Sequence, residues 1–157
     1  MLGYSHAEDS EKLVNEVAKL ELLGGSAVGI GGDPGRFYEI SLQIKKSLKD
    51  DEIQKLVEHK NANVVALGLV LLAYDTDKNL KHFAALAEDK RQVTSYLACF
   101  TQELTLGQFA ELLLSDLEAR SMYIDALVPA NSVKTLVAQK QKKPNKSEMA
   151  TPRKPSD

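Results

Sequence analysis

"LLGGSAVGIGGDPGRFYEI", residues Leu22–Ile40, gathers six of the chain's nine glycines into the twelve positions from Gly24 to Gly35. Such a stretch is either a phosphate cradle, whose bare backbone lets N–H groups reach phosphate oxygens, or a connection between elements. A Walker loop closes on Gly-Lys-Ser/Thr, with the lysine on the phosphates. No lysine stands between Lys19 and Lys45. A dinucleotide fingerprint needs Gly-x-Gly-x-x-Gly after a strand. Here Gly29 and Gly31 open the pattern, Pro34 holds the third glycine's place, and the residues upstream repeat with a helical period. The stretch therefore reads as a mobile surface connection between two helices, with glycines where the chain reverses or passes close to a neighbour. Arg36, the nearest cation, could hold a phosphate only weakly at the start of the second helix.

On either side of this segment the apolar spacing is helical. Upstream, Leu13, Val17 and Leu20 step by four and three, with Gly24 at the position of a C-terminal cap. Downstream, Phe37, Ile40, Ile44 and Leu48 repeat in the same way, with Asp33 as the expected N-cap and Pro34 as the first helical residue. A short helix capped by Asp50 or Asp51 turns Ile53, Leu56 and Val57 inward. The eleven-residue run Val64–Tyr74 is apolar on all sides and reads as a buried helix, too short to cross a bilayer. A helix from about Lys78 to Ala87 aligns Leu80, Phe83, Ala84 and Ala87. The next stripe, Val93, Tyr96, Leu97 and Phe100, predicts another helix, with Cys99 packed among its apolar residues. Thr105 and Gln108 form a capping-box pattern that opens "LGQFAELLL". Two further helices are expected, to Leu127 and from Ser132 to about Lys140, with Pro129 between them. No strand is expected anywhere.

Charge divides the chain. The last twenty residues, 138–157, hold six of the twenty basic residues and two of the twenty-two acidic ones, a net of +4, which leaves −6 over residues 1–137. An acidic body repels polyanions, so nucleic acid is not an expected partner. The proline-containing basic tail is poor in large apolar residues and is expected to be disordered, making only weak electrostatic contacts. The domain plan is accordingly a disordered N-terminus over residues 1–9, a helical domain over 10–137 and the tail over 138–157. One cysteine excludes an intrachain disulfide, which suits a cytoplasmic location. The stretch "YSHAEDS" around Ala7 and Glu8 has the small-x-small look of a signal-peptidase site without the regions that should precede it. The alternative expectation is thus an exported chain whose leader lies before the first residue.

The stretches "LVEHKNANVVALGLVLLA" and "LAEDKRQVTSYLACF" echo one another, with Val64 and Val93 twenty-nine positions apart. Helical pairs repeating at such intervals characterise α-solenoids. With "DPGRFYEISLQIKK", "DDEIQKLVEHKNANVVALGLVLLA" and "DKRQVTSYLACFTQELTLGQFAELL", the chain resembles a family of short bacterial HEAT-like proteins over about Gly32–Leu114. Ala62 and Val65 stand where that family commonly has proline and arginine. The resemblance implies an all-α fold, a short α-solenoid of stacked helical hairpins. It implies no activity and no functional residue.

No catalytic constellation assembles from the sequence. His6, His59 and His82 make no paired metal-ligand spacing. The acidic pairs Asp50–Asp51 and Asp75–Asp77 sit where helix caps belong, and "DTDKN" lacks the glycine and distal glutamate of a calcium loop. No catalytic, cofactor-binding or metal residue is assigned, and no cofactor is expected. The expected function is a non-catalytic protein–protein interaction or scaffold module with a basic protein partner. The alternative is a hydrolase-like enzyme using a groove beside the glycine segment, with His59 or His82 and Cys99 as its polar participants.

Overall fold

A computed structural model describes residues 3–124 of the chain, with side chains from residue 8 onward. Its elements are α1 (Gly3–Ala18), β1 (Leu23–Val28), α2 (Arg36–Ser47), α3 (Asp50–Leu56), α4 (Ala62–Leu72), a 3-10 turn (Ala73–Asp75), α5 (Thr76–Ala85), β2 (Gln92–Ala98), β3 (Phe100–Thr105), α6 (Leu106–Ser115) and α7 (Leu117–Tyr123). The strands form one sheet in the order β1-β2-β3, with β1 parallel to β2 and β2 antiparallel to β3. The fold is therefore α/β, which corrects the expected all-α, HEAT-like solenoid. Helix α1 takes in residues 3–9, placed before the domain by sequence. The basic tail and the helix expected over Ser132–Lys140 lie outside the described residues.

Most of the helices form where the apolar period and caps put them. Asn61 caps α4 by accepting from the N–H groups of Asn63 and Val64. Its amide nitrogen donates to Ala18 O, and Asn63 donates to the Val17 and Leu20 carbonyls, so the end of α1 is satisfied by the start of α4. Every residue of α4 from Val64 to Leu72 is buried, and this helix is the centre of the core. Thr105 and Gln108 close the expected capping box on α6. Asp75 caps α5 through Lys78 N. On α5 only Phe83 of the expected stripe is buried, Leu80, Ala84 and Ala87 being exposed.

Two stretches expected as connection and helix are strands. In β2, Val93 and Ser95 are buried while Gln92 is exposed and Thr94 and Tyr96 are half-buried, the two-residue alternation of a sheet. Val93, Tyr96, Leu97 and Phe100 share the spacing of a helical face, but their partners across the sheet are Leu104, Thr101 and, for Leu97, Phe100 itself. Polar Ser95 interrupts the apolar alternation that would have announced the strand. It is buried because it hydrogen-bonds the Tyr123 hydroxyl at 2.7 Å.

Strand β1 contains two glycines for a reason of space. A Cβ on Gly35 would lie 2.6 Å from Gly24 Cα, and one on Gly24 would lie 2.9 Å from Gly35 Cα. The chain entering α2 thus lies backbone to backbone on β1. Gly35 N donates to Gly25 O and Val28 N to Asp33 O, both at 2.8 Å. These bonds hold residues 33–35 against the strand, so α2 begins at Arg36 with Gly35 as its N-cap, instead of at Pro34 with Asp33.

Tyr123, fully buried at the end of α7, joins the layers. Its hydroxyl donates to Leu23 O of β1 at 2.8 Å and meets Ser95 of β2, and its ring sits edge-on to Phe37 of α2 and Phe109 of α6. Burial pushes its pKa up to about 12, although the hydrogen bonds of Ser95 and the Tyr96 backbone favour the ionised form. Arg120, one turn earlier, is also buried and donates to Ala73 O at 2.6 Å. Burial lowers its pKa and the charge of Asp77 opposes the shift.

Two stability outcomes follow from these contacts. Gly35→Ala, which drives a Cβ into the Gly24 backbone, should cost about 3 kcal/mol. Gly31→Ala, whose Cβ would meet only the exposed Asp33 carboxylate at 3.3 Å, should stay within about 0.5 kcal/mol of the wild type. Urea titrations of the pair measure the contrast. For Tyr123 the folded pKa lies above the unfolded value of about 10, so the unfolded chain loses its proton first as pH rises. The stabilisation is complete below about pH 10 and disappears towards pH 12, a loss of about 2–3 kcal/mol. Tyr123→Phe should cost about 1–3 kcal/mol at neutral pH. Its stability gap from the wild type should narrow over that alkaline window, as read by denaturation at several pH values.

Candidate functional site: the open end and edge of the sheet

The parallel strands β1 and β2 end together, Val28 opposite Ala98. After Val28 the chain reverses through Gly29 and Gly32, both at positive φ (69° and 66°), and returns at Asp33. The tip of this turn is Ile30, whose side chain is fully exposed at 103%. Beside it, Ala98 and Cys99 make the two-residue turn between the paired residues Leu97 and Phe100. Gly29 N donates to Ala98 O at 2.7 Å, so the two turns are fastened to each other. Phe100 leaves its turn 78% exposed. Two large apolar side chains thus project from one end of the sheet. Cys99, expected in the core, is exposed at this turn. The correction follows from the strand assignment, which puts Cys99 in the two-residue turn of the β2–β3 hairpin and not on a helical face packed on the core.

The glycine segment does stand between a strand and a helix, contrary to the helical reading of the residues before it. Several of its amides are nonetheless spent within the fold. Those of Val28, Gly29, Gly32 and Gly35 donate to Asp33 O, Ala98 O, Gly29 O and Gly25 O respectively. Arg36 is held by Glu16 at 2.5 and 2.9 Å and by Glu39 at 3.3 Å. The Glu16 hydrogen bond raises the pKa of Arg36, and the same bond lowers that of Glu16. Residues 23–28 are a hydrogen-bonded strand, not part of a mobile connection.

The polar candidates named from sequence are not gathered. His59 lies in the turn between α3 and α4, its Nδ1 accepting from Asn61 N and its carbonyl oxygen accepting from Arg91. Arg91 stands just before β2 and Cys99 just after it, so the length of β2, roughly 23 Å, lies between the histidine's anchor and the thiol. His82 is on α5, and its Nε2 is buried with no hydrogen-bond partner among the described residues. Among the described residues no group of three His, Cys, Asp or Glu could hold a metal ion. No helix there is long and apolar enough to cross a membrane.

The two margins of the sheet differ. The outer margin of β1 is covered by residues 33–35 through the bonds described above. The outer margin of β3 has no strand beside it among the described residues. Leu106 N bonds Arg91 O, continuing the ladder towards β2, whereas Thr105 N turns outward to Gln108 Oε1. By the alternation of an antiparallel pair, the N–H and C=O groups of Thr101 and Glu103 also face outward. Alongside runs a groove of about 560 Å³ between β3 and α6, lined by Gln102, Leu104, Gln108, Glu111, Leu112 and Asp116 among others. None of these surface features was visible in the sequence. The density of threonine and aromatic residues from Val93 to Thr105 was the signal that could have announced the hairpin that carries them.

No protein-family model matches the chain, and no curated protein matches it in sequence.

Ala98 holds φ at 52°, and it is the single non-glycine residue at positive φ among those described. A left-handed alanine in a hairpin turn is strained by about 1 kcal/mol, a cost glycine does not bear. Ala98→Gly should therefore stabilise the fold by up to about 1 kcal/mol, raising the urea midpoint, with Phe100 still exposed to quenchers.

Proposed function

We propose that the protein is a non-catalytic protein-binding module that engages its partner through the open end of the sheet. The observation that carries this reading is the joint exposure of Ile30 and Phe100 on turns fastened by the Gly29–Ala98 hydrogen bond. Apolar side chains scattered singly over a surface are ordinary. Two large ones on neighbouring turns whose backbones are bonded to each other form a small anchor, with less loop freedom to lose on association than on independent loops. Burial of either against a partner removes about 1.5–3 kcal/mol of unfavourable hydration. The charge of −6 over residues 1–137 favours a partner with a basic surface and speeds its encounter.

The test uses a photo-crosslinking amino acid placed at position 100 or, as a control, at the exposed Glu11 of α1, in the native host. A discrete crosslinked protein is expected from position 100, absent from position 11 and lost when Ile30→Asp is added. Position 100 yielding no product, or both positions yielding the same ones, would rule the reading out.

A further inference from the structure

We infer that the outer edge of β3 and the groove beside α6 form a strand-addition site for an extended segment with basic residues at alternate positions. This inference rests on the binding-module reading and names the chemistry of the partner.

The backbone supplies the first half of the recognition. Thr101 and Glu103 present outward-facing N–H and C=O groups, as the outward turn of Thr105 N and the inward bond of Leu106 N fix the parity of the strand. An extended segment laid along them satisfies these groups as a fourth strand, a recurrent mode of peptide recognition. Natural edge strands are commonly blunted by proline, lysine or a covering segment. β1 has such a cover in residues 33–35, whereas β3 contains neither proline nor lysine.

The groove supplies the second half. Every second residue of an added strand projects to the side on which Gln102 and Leu104 stand, over Leu104 and Leu112 and towards Glu111 and Asp116. The groove's lining includes two carboxylates, the exposed Glu111 and Asp116, whose Oδ1 also accepts from Ala119 N as the cap of α7, and no lysine or arginine. Glu103 on the edge itself and Glu88 in the adjoining hollow add negative charge, against Lys90 alone, since Asp89 is engaged by Arg91. Lysine or arginine in the inward row lays its aliphatic stem on the leucines and brings its cation to the carboxylates. An acidic segment in the same place would meet like charge at Glu111 and Asp116.

A seven-residue acetylated and amidated Lys-Thr repeat peptide, with its Glu-Thr counterpart as control, tests the inference by NMR titration of the full chain. The Lys-Thr peptide is expected to shift amides over residues 101–105 and 108–116 and to slow hydrogen exchange at Thr101 and Glu103, in a salt-sensitive way. Glu103→Pro removes an outward N–H without breaking the ladder to β2 and should weaken binding at least tenfold. Glu111→Lys, an exposed change that leaves the strand intact, should weaken it at least threefold. Equal binding of the Glu-Thr peptide, shifts confined elsewhere, or indifference to both substitutions would overturn the inference. So would protection of Thr101 and Glu103 before peptide is added: a second copy fills the edge if that protection grows with protein concentration, and the chain's own segment does so if it does not. A partner crosslinked from position 100 without peptide shifts in the groove would sink this inference alone, while silence in both experiments removes the module reading as well.

Discussion

The Tyr123 hydroxyl holds the architecture together. It reaches from the last helix through the core to the Leu23 carbonyl of β1 and the Ser95 hydroxyl of β2, groups 100 and 28 positions away in sequence. A buried backbone carbonyl and a buried hydroxyl left without partners would each cost on the order of 1–3 kcal/mol. Their mutual satisfaction makes it possible to bury a serine in the central strand. The ring completes the arrangement by packing edge-on against Phe37 and Phe109, so α2, α6 and α7 are placed relative to the sheet by one side chain.

A second constraint, the backbone contact of Gly24 with Gly35, decides which margin of the sheet is covered among the described residues. With no Cβ on either residue, the chain leaving β1 folds over that strand's outer margin and donates to it before α2 begins. The opposite margin runs directly from the end of β3 into the α6 capping box, which occupies Thr105 and leaves Thr101 and Glu103 outward. Phe100 and the edge of β3 therefore lie on the margin away from the covering segment, while Ile30 sits at the tip of the glycine turn itself. The proposed binding role depends on that asymmetry.

Much of the helical framework was legible because its signals are local. The Asp75 and Thr105 caps satisfy N–H groups three residues away, and the continuous apolar run of α4 has no stable position except the centre of the core. The acidic pair at Asp50 was one residue off, since Glu52 accepts from Lys49 N, which makes Lys49 the N-cap of α3. The strands misled for a definite reason. Val93, Tyr96, Leu97 and Phe100 fit a helical face as well as they fit a hairpin, and glycines in β1 remove the β-branched composition by which a strand is recognised. Cys99 followed its neighbours into the wrong environment. The absence of a Walker lysine was readable from the sequence; the bonds that occupy the Gly29, Gly32 and Gly35 amides were not.

The sequence by itself determined the Asp75 and Thr105 caps, the aliphatic core around α4 and the acidic balance of residues 1–137. Each follows from interactions spanning a few residues or from a sum over the chain. Only the tertiary structure decided that Leu23–Val28 and Gln92–Thr105 are strands, that Ser95 is buried, and that the Ile30 and Phe100 turns share one end of the sheet. These depend on partners far away in sequence: Leu23 beside Ser95, Val28 beside Ala98, and Tyr123 beside both Leu23 and Ser95. Strand pairing is satisfied between segments and not within them, so a local pattern can be equally consistent with helix and sheet until the distant carbonyl that needs a donor is in place.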